Sequence, residues 1–73
     1  MSKSNINNLV MQKGIKKKFI AEKLGIRPET FSRKMNNPET FNAFEMAILS
    51  DVLKTPINEI NFNVNFFTNQ HDL

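Results

Sequence analysis

Glycines that end helices and prolines that begin them divide this chain into short segments, none of which can hold a long helix. Gly14 and Gly25 suit the left-handed backbone that follows a helix, because glycine has no Cβ to clash there. Pro28 and Pro56 suit the first turn of a helix, where a missing N–H costs nothing. Apolar residues recur at helical spacing between these positions, so the sequence predicts several short helices around one small core.

Five helices are predicted, which places the chain in the all-α class. The first follows a cap at Ser4 or Asn5 and turns Ile6, Leu9 and Val10 to one side. The other four are expected over about residues 16–24, over 28–35, from a cap at Asn42 to about Leu53, and over 57–60.

Helical spacing also predicts which side chains are buried. In the second helix Phe19, Ile20 and Leu24 are expected to point inward, and in the third Phe31 and Met35 lie one turn apart. One broad face of the fourth helix is expected to be buried, and its members are Ala43, Met46, Ala47, Leu49, Ser50 and Leu53.

The end of the chain follows a different pattern. Phe62, Val64 and Phe66 alternate with asparagines, and this period of two is typical of an extended strand. No other segment is predicted to be a strand. A folded domain over residues 1–62 is therefore expected to carry a short extended tail at 63–73, which lies across the core or pairs with a second copy of the chain.

The composition argues against several classes of protein and of functional site. The 73 residues include no cysteine and one histidine, His71, so disulfides and the usual zinc sites are not expected. No nucleophile–base pair, glycine-rich phosphate loop or carboxylate pair is present, so we expect no enzyme, cofactor, metal or small-molecule substrate. No apolar run approaches the roughly 18 residues of a membrane span, so a cytoplasmic protein is expected.

The charge is divided sharply along the sequence. Residues 1–37 hold nine basic and two acidic residues, a net charge of +7, whereas residues 38–73 hold one basic and five acidic residues, a net charge of −4. Scattered surface lysines would explain solubility but not this division. A basic half-chain favours a nucleic acid as its partner. An acidic membrane is the weaker candidate, because no segment combines basic residues with a large apolar helix face.

The spacing within residues 19–35 is that of two helices joined by a tight turn. Ala21 offers a small side chain where the helices cross, and Gly25, four positions later, tolerates a positive φ. Ile26 and Phe31 fill the angle between the helices. These residues resemble the Cro/CI-type helix-turn-helix of the lambda-repressor-like family.

The resemblance extends beyond the motif, from about residue 6 to residue 62. Phe41 followed by a helix ending at Leu53, and then the segment 55–60, are similar to the fourth and fifth helices of that family. The resemblance implies a five-helix DNA-binding domain, with the helix-turn-helix at about 16–35 and the third helix in the major groove of double-stranded DNA. Lys34 departs from the family pattern, which has an apolar residue there, and Met35 is expected to take over its packing.

The third helix and its start carry groups that can recognise base edges. Arg33 suits a bidentate contact to guanine, Glu29 can accept from cytosine or merely favour the helix N-terminus, and Thr30 suits a thymine methyl group or a base edge. The candidates for base contacts are Arg27, Glu29, Thr30 and Arg33. The candidates for phosphate contacts are Lys16, Lys17, Lys18, Ser32 and Lys34.

A second apolar stripe runs along the fourth helix and consists of Phe44, Ile48 and Val52, which recur every four positions. It lies on a side of the helix different from the predicted buried face. The stripe is either an interface for a second copy or another protein, or a surface that the tail covers. The candidate interface residues are Phe44, Ile48, Val52, Phe62, Phe66 and Phe67.

Together these features predict a small phage-type transcriptional regulator, similar to Cro-like repressors of the lysis–lysogeny switch. It would bind operator DNA in the bacterial host cytoplasm and lie on the nucleoid when bound, and a homodimer is one of the assemblies that it could form. The alternative is a modulator or antirepressor that docks on the DNA-binding domain of a phage repressor protein. The two differ in whether Arg27, Arg33 and the lysine cluster govern affinity for DNA or for an acidic protein partner.

Overall fold

The computed structural model describes residues 3–63, and this part of the chain is mostly helical, as the sequence predicts. None of its helices is both long and apolar enough to cross a membrane. Its elements are β1 (Ser4–Asn5), α1 (Ile6–Lys13), α2 (Lys17–Leu24), α3 (Pro28–Asn36), a 3-10 helix (Pro38–Thr40), α4 (Ala43–Leu53), a second 3-10 helix (Ile57–Glu59) and β2 (Ile60–Asn61).

The predicted helix ends are confirmed where a side chain or a glycine determines them locally. The Oδ1 atom of Asn5 caps α1 by accepting from the backbone N–H groups of Asn7, at 2.8 Å, and Asn8, at 3.3 Å. Gly14 and Gly25 follow α1 and α2 with φ values of 66° and 73°. Backbone chemistry near each end therefore sets where these helices begin and stop.

The prediction of five helices is wrong, because residues 57–60 do not form an α-helix. A single 3-10 turn, Ile57–Glu59, occupies this segment, and the N–H of Glu59 donates to the carbonyl of Pro56 at 2.9 Å. The next residue, Ile60, already belongs to β2. Too few residues separate the proline from the strand for a turn of α-helix to form.

Both ends of the described chain meet in a small parallel ladder. Ser4 lies opposite Ile60, and Asn5 lies opposite Asn61. The segment after the last helical turn thus pairs with the start of the same chain. Most of the predicted tail, including Phe66 and Phe67, lies outside the described residues.

Phe62 belongs to the core and not to an exposed interface, which corrects its assignment. Only 3% of its surface is exposed, and its ring lies 6.0 Å from that of Phe41 in an edge-on arrangement. Phe41 in turn packs against Phe31 at 6.2 Å. This aromatic row fixes α3 against the end of the described chain.

The buried faces of α2 and α4 differ from those predicted. Phe19 is 46% exposed, because α2 turns Ile20, Ala21 and Leu24 toward the core and Phe19 lies beside that face. In α4 the buried side chains are Glu45, Leu49 and Leu53, which recur every four residues, whereas Met46 and Ser50 are half-buried and Ala43 and Ala47 are exposed. The buried face of α4 therefore includes the carboxylate of Glu45, which a pattern of apolar residues could not predict.

Candidate nucleic-acid interface

Helices α2 and α3 are joined by a tight turn that sets where α3 projects. The N–H of Ile26 donates to the carbonyl of Ala21 at 3.0 Å, which closes the turn after α2. Arg27 precedes α3 in an extended conformation, and its carbonyl accepts from Phe31 at 3.0 Å. Since Ala21 and Phe31 are fully buried, the two helices pack closely and the opposite side of α3 faces solvent.

The four candidates for base contacts lie together at the start and along the solvent side of α3. Arg27, Glu29 and Arg33 are exposed, and Thr30 is half-buried. The guanidinium Nη2 of Arg33 donates to Thr30 Oγ1 at 3.4 Å. Glu29 occupies the first turn of α3, where its charge is favourable to the helix dipole. The arrangement presents two guanidinium groups, a carboxylate and a hydroxyl on one surface.

A groove of about 240 Å³ borders one side of this surface, between α3 and the 3-10 helix that follows it. Thr30 and Arg33 line it together with Lys34, Asn37 and Thr40. The side chain of Asn37 donates to the Arg33 carbonyl at 3.3 Å, and Thr40 Oγ1 donates to the Asn37 carbonyl at 2.7 Å. These bonds hold the wall of the groove beside Arg33.

A second, polar groove of about 290 Å³ borders the other side of α3 and joins two of the predicted phosphate contacts. Lys17, at the start of α2, and Ser32 of α3 line it with Asn5, Asn7 and Asn36. Ammonium, hydroxyl and amide groups are donors that suit phosphate oxygens. The three asparagines could not be predicted from the sequence, because they come from separate elements and share no spacing.

The start of α2 concentrates positive charge. Lys16, Lys17 and Lys18 are all exposed. Lys16 stands at the N-cap position without a side-chain hydrogen bond to the helix, and Lys17 and Lys18 are the first two residues of α2. The dipole and the side-chain charges therefore act in the same direction on an anion.

Lys34 is placed differently from the other phosphate candidates. Its Nζ atom donates to both carboxylate oxygens of Glu45, at 2.9 and 3.2 Å, and to the carbonyl of Thr40 at 3.3 Å. It also lies 5.7 Å from the centroid of the Phe41 ring. The three donors of the ammonium are thus used within the chain, and Lys34 connects α3 to α4, whereas its place on the flank of the third helix had led us to expect a phosphate contact.

The partner of Lys34 is a carboxylate held by two helices. Glu45 Oε1 accepts from the backbone N–H of Asn42 at 3.0 Å, and Asn42 Oδ1 accepts from the N–H of Glu45 at 2.8 Å, which forms a capping box. Burial raises the pKa of Glu45, but the hydrogen bonds from Asn42 and Lys34 and the charge of Lys34 outweigh it. The pKa of Glu45 therefore lies below its ordinary value.

The positive charge of the first half of the chain stays at the surface. Lys34–Glu45 is the one salt bridge among residues 3–63. The other eight basic residues of the first half are exposed: Lys3, Lys13, Lys16, Lys17, Lys18, Lys23, Arg27 and Arg33. Their field is thus available to an anionic partner.

The remaining interface candidates lie on the solvent side of α4. Phe44 is 71% exposed, and Ile48 and Val52 are half-buried in a groove shared with Lys23 and Asp51.

No three His, Cys, Asp or Glu side chains cluster as metal ligands do within the part of the chain that the structure describes. Comparisons of the chain with protein-family models, with curated proteins and with solved structures return no match.

Proposed function

We propose that this protein is a sequence-specific DNA-binding regulator of transcription, with α3 as the helix that enters the major groove. The observation that carries the proposal is the solvent side of α3, where Glu29 and Arg33 are exposed beside the half-buried Thr30, with the exposed Arg27 directly before the helix. Within this proposal α2, the turn and α3 are a helix-turn-helix, and the domain is of the lambda-repressor-like type.

The dimensions and chemistry of α3 suit that role. An α-helix with its side chains is about 10–12 Å in diameter and fits a major groove about 12 Å wide. The nine residues of α3 give it a length of about 13 Å. Arg33 has two parallel donors for the N7 and O6 atoms of guanine, and Glu29 accepts from the amino group of cytosine. The Arg33–Thr30 bond is long, at 3.4 Å, so Arg33 gives up little when it turns to a base.

The flanks of α3 would supply contacts to the DNA backbone. We assign Lys17 and Ser32 to one phosphate in the polar groove that they line with the asparagines. Lys16 and Lys18 would add sequence-independent affinity, which releases counterions and makes binding strongly dependent on salt. Lys34 is left out of the proposed interface because Glu45 holds its ammonium.

As a regulator the protein would act in the manner of a Cro-like phage repressor, in the bacterial cytoplasm, by occupying an operator. Pro28 lies exposed in the first turn of α3 and has no polar side-chain atom for a base. Sequence preference must therefore rest on few side chains, chiefly Arg33, Glu29 and Thr30. We expect a short recognised sequence in each half-site.

Selection of duplexes from a random-sequence pool by the full-length protein tests the proposal, with the affinity of the enriched duplex followed against salt. An enriched sequence, bound with a steep salt dependence, is the expected result. Weak binding to all duplexes alike that disappears near physiological salt would contradict it. That outcome would favour the alternative, a modulator that docks through the same basic surface on the DNA-binding domain of a phage repressor.

A further inference from the structure

The last turn of α3 carries an exposed asparagine that the candidates for base contacts do not include. Asn36 is the final residue of α3. It lines the polar groove of about 290 Å³ together with Ser32, which lies one turn earlier on the same helix. Its amide is therefore next to the groove assigned above to a phosphate, and its part in DNA binding depends on which way it is used.

Asn36 shares one side of α3 with two of the candidates for base contacts. Glu29, Arg33 and Asn36 follow one another at intervals of four and three residues, which an α-helix places within an arc of about 60°. All three are exposed, whereas Phe31, on the opposite side of the helix, is buried. The solvent side of α3 thus extends as a polar row to the last residue of the helix.

The amide of Asn36 is free for a ligand, unlike those of two neighbouring asparagines. Asn5 uses its side-chain oxygen to cap α1, and Asn37 donates its side-chain N–H to the carbonyl of Arg33 at 3.3 Å. Within residues 3–63 the side chain of Asn36 makes no such bond. Both its donor and its acceptor are therefore available on the exposed side of α3.

We propose that Asn36 is a further base-contact residue and that it reads an adenine. The inference rests on the proposed function, in which α3 enters the major groove. An asparagine amide holds a donor and an acceptor side by side, which match the N7 atom and the N6 amino group of adenine. No other base presents an acceptor beside a donor on its major-groove edge, so the amide distinguishes adenine from all three.

A base edge suits Asn36 better than a phosphate does. Only the NH₂ group of an amide can donate to a phosphate, and the amide oxygen is repelled by the phosphate oxygens. The phosphate assigned to the polar groove already has the ammonium of Lys17 and the hydroxyl of Ser32. An adenine uses both ends of the amide, and it lies on the side of α3 that Asn36 shares with Arg33.

The spacing along α3 predicts where this adenine lies in the recognised sequence. The helix rises about 6 Å from Glu29 to Arg33 and about 4.5 Å from Arg33 to Asn36. Successive base pairs are about 3.4 Å apart. When α3 follows the groove, the adenine therefore lies one or two base pairs from the guanine assigned to Arg33, on the side away from the cytosine assigned to Glu29.

The duplex that the full-length wild type selects from a random pool is the probe, and fluorescence anisotropy measures its affinity. Asn36→Ala should weaken binding about five- to a hundredfold and remove the preference at the adenine alone. Asn37→Ala is the matched control, since it removes the adjacent exposed amide, and it should keep the preference at every position. Circular dichroism should show unchanged helicity for both variants.

Replacing the adenine by 7-deazaadenine tests the same contact from the side of the DNA. This base still pairs with thymine and keeps the N6 amino group, but it lacks N7, one of the two atoms assigned to the amide. It should weaken binding of the wild type and leave binding of Asn36→Ala unchanged, because that variant has no amide to lose. Equal weakening of both proteins would overturn the pairing of Asn36 with this adenine.

Failure of the adenine contact can be told apart from failure of the proposed function. If binding of the selected duplex depends on Arg33 but Asn36→Ala binds it as the wild type does, DNA binding stands and the adenine contact is wrong. A loss by the same factor for every duplex also contradicts the contact, because it is the mark of a phosphate contact. If no duplex is enriched, the proposed function fails and this inference fails with it.

Discussion

Helices α3 and α4 both place one side on the same core, but their solvent sides differ in chemistry. The solvent side of α3 carries Glu29 and Arg33, beside the half-buried Thr30. The solvent side of α4 carries Phe44 and an apolar groove. Burial alone does not require this difference, because exposed positions accept polar and apolar residues. One small domain thus carries two exposed surfaces of different chemistry, a polar one along α3 and an apolar one along α4.

The two helices are joined by a polar contact at the edge of the core. Lys34 leaves α3 and meets Glu45 in the first turn of α4 at 2.9 Å. Glu45 is 6% exposed and is also the capping-box partner of Asn42. The orientation of α3 therefore depends on a residue that belongs to α4, and the two surfaces are held in a fixed relation.

The largest expected effect separates a core aromatic residue from an exposed one. Phe31→Ala should reduce the free energy of unfolding by about 3–5 kcal/mol, because the Phe31 side chain is fully buried beneath α3 and its loss leaves a cavity. Phe44→Ala should change it by less than about 0.5 kcal/mol, because most of that ring already contacts water. Urea denaturation followed by circular dichroism measures both. Equal losses for the two variants would break the comparison between the buried side of α3 and the exposed side of α4.

The next effect concerns DNA affinity. Arg33→Ala should weaken binding to the selected duplex by about 1–3 kcal/mol and relax the preference at one base pair, because a bidentate base contact is lost. Arg33→Lys is the matched variant, since it keeps the charge but not the two parallel donors. It should keep the salt dependence and lose the base preference. Fluorescence anisotropy titrations with duplexes altered at single positions measure these changes, and unchanged affinity of Arg33→Ala would rule out the assigned role.

Sequence reasoning succeeded where structure is set within a few residues. The cap at Asn42 and the glycine stops after α1 and α2 depend only on neighbouring backbone groups, so local chemistry predicted them, and it narrowed the first cap to Ser4 or Asn5, of which the structure shows Asn5. The four base-contact candidates lie at the start of or within one short helix, where Arg27, Glu29 and Arg33 are exposed and Thr30 is half-buried; their role in binding stays a prediction.

Features that join distant segments could not be predicted in the same way. The Lys34–Glu45 pair brings together residues on different helices, and neither spacing nor apolar pattern indicates it. Glu45 also belongs to the buried face of α4, which the helical wheel had predicted without any charged residue. The strand pairing of Ser4 with Ile60 and the meeting of Lys17 with Ser32 in one groove also depend on tertiary packing.

A smaller effect tests the contact between the two helices. Glu45→Gln should lower the free energy of unfolding at neutral pH by about 1–2 kcal/mol, because the amide oxygen can still accept from Asn42 but no longer pairs with the charge of Lys34. Asp51→Asn, on the exposed side of α4, is the control and should change it by less than about 0.5 kcal/mol. Chemical denaturation measures both, and equal values would show that the ion pair contributes nothing to stability.

The dependence of that difference on pH follows from the pKa of Glu45. Since folding lowers this pKa below its ordinary value of 4.5, the carboxylate stabilises the fold fully above that value, and the stabilisation is lost as the pH falls through the folded-state pKa. The wild type and Glu45→Gln should therefore differ most near neutral pH and converge in acid. A difference that stays constant from neutral pH to acid would contradict the assignment.

The smallest expected effect concerns Lys54 at the end of α4. This lysine affects the backbone conformation there and is not one of the cations proposed to meet DNA. Lys54 follows α4 with φ 51°, a left-handed conformation in which its Cβ is strained, whereas glycines serve this purpose after α1 and α2. Lys54→Gly should raise the free energy of unfolding by about 1 kcal/mol by removing that strain. Lys54→Ala also removes the charge but keeps the Cβ, so it should bring no such gain. Both should leave affinity for the selected duplex unchanged, in contrast to Arg33→Ala, because Lys54 lies outside the α3 surface and its grooves. A gain in stability shared by the glycine and alanine variants would instead trace the effect to the lysine charge.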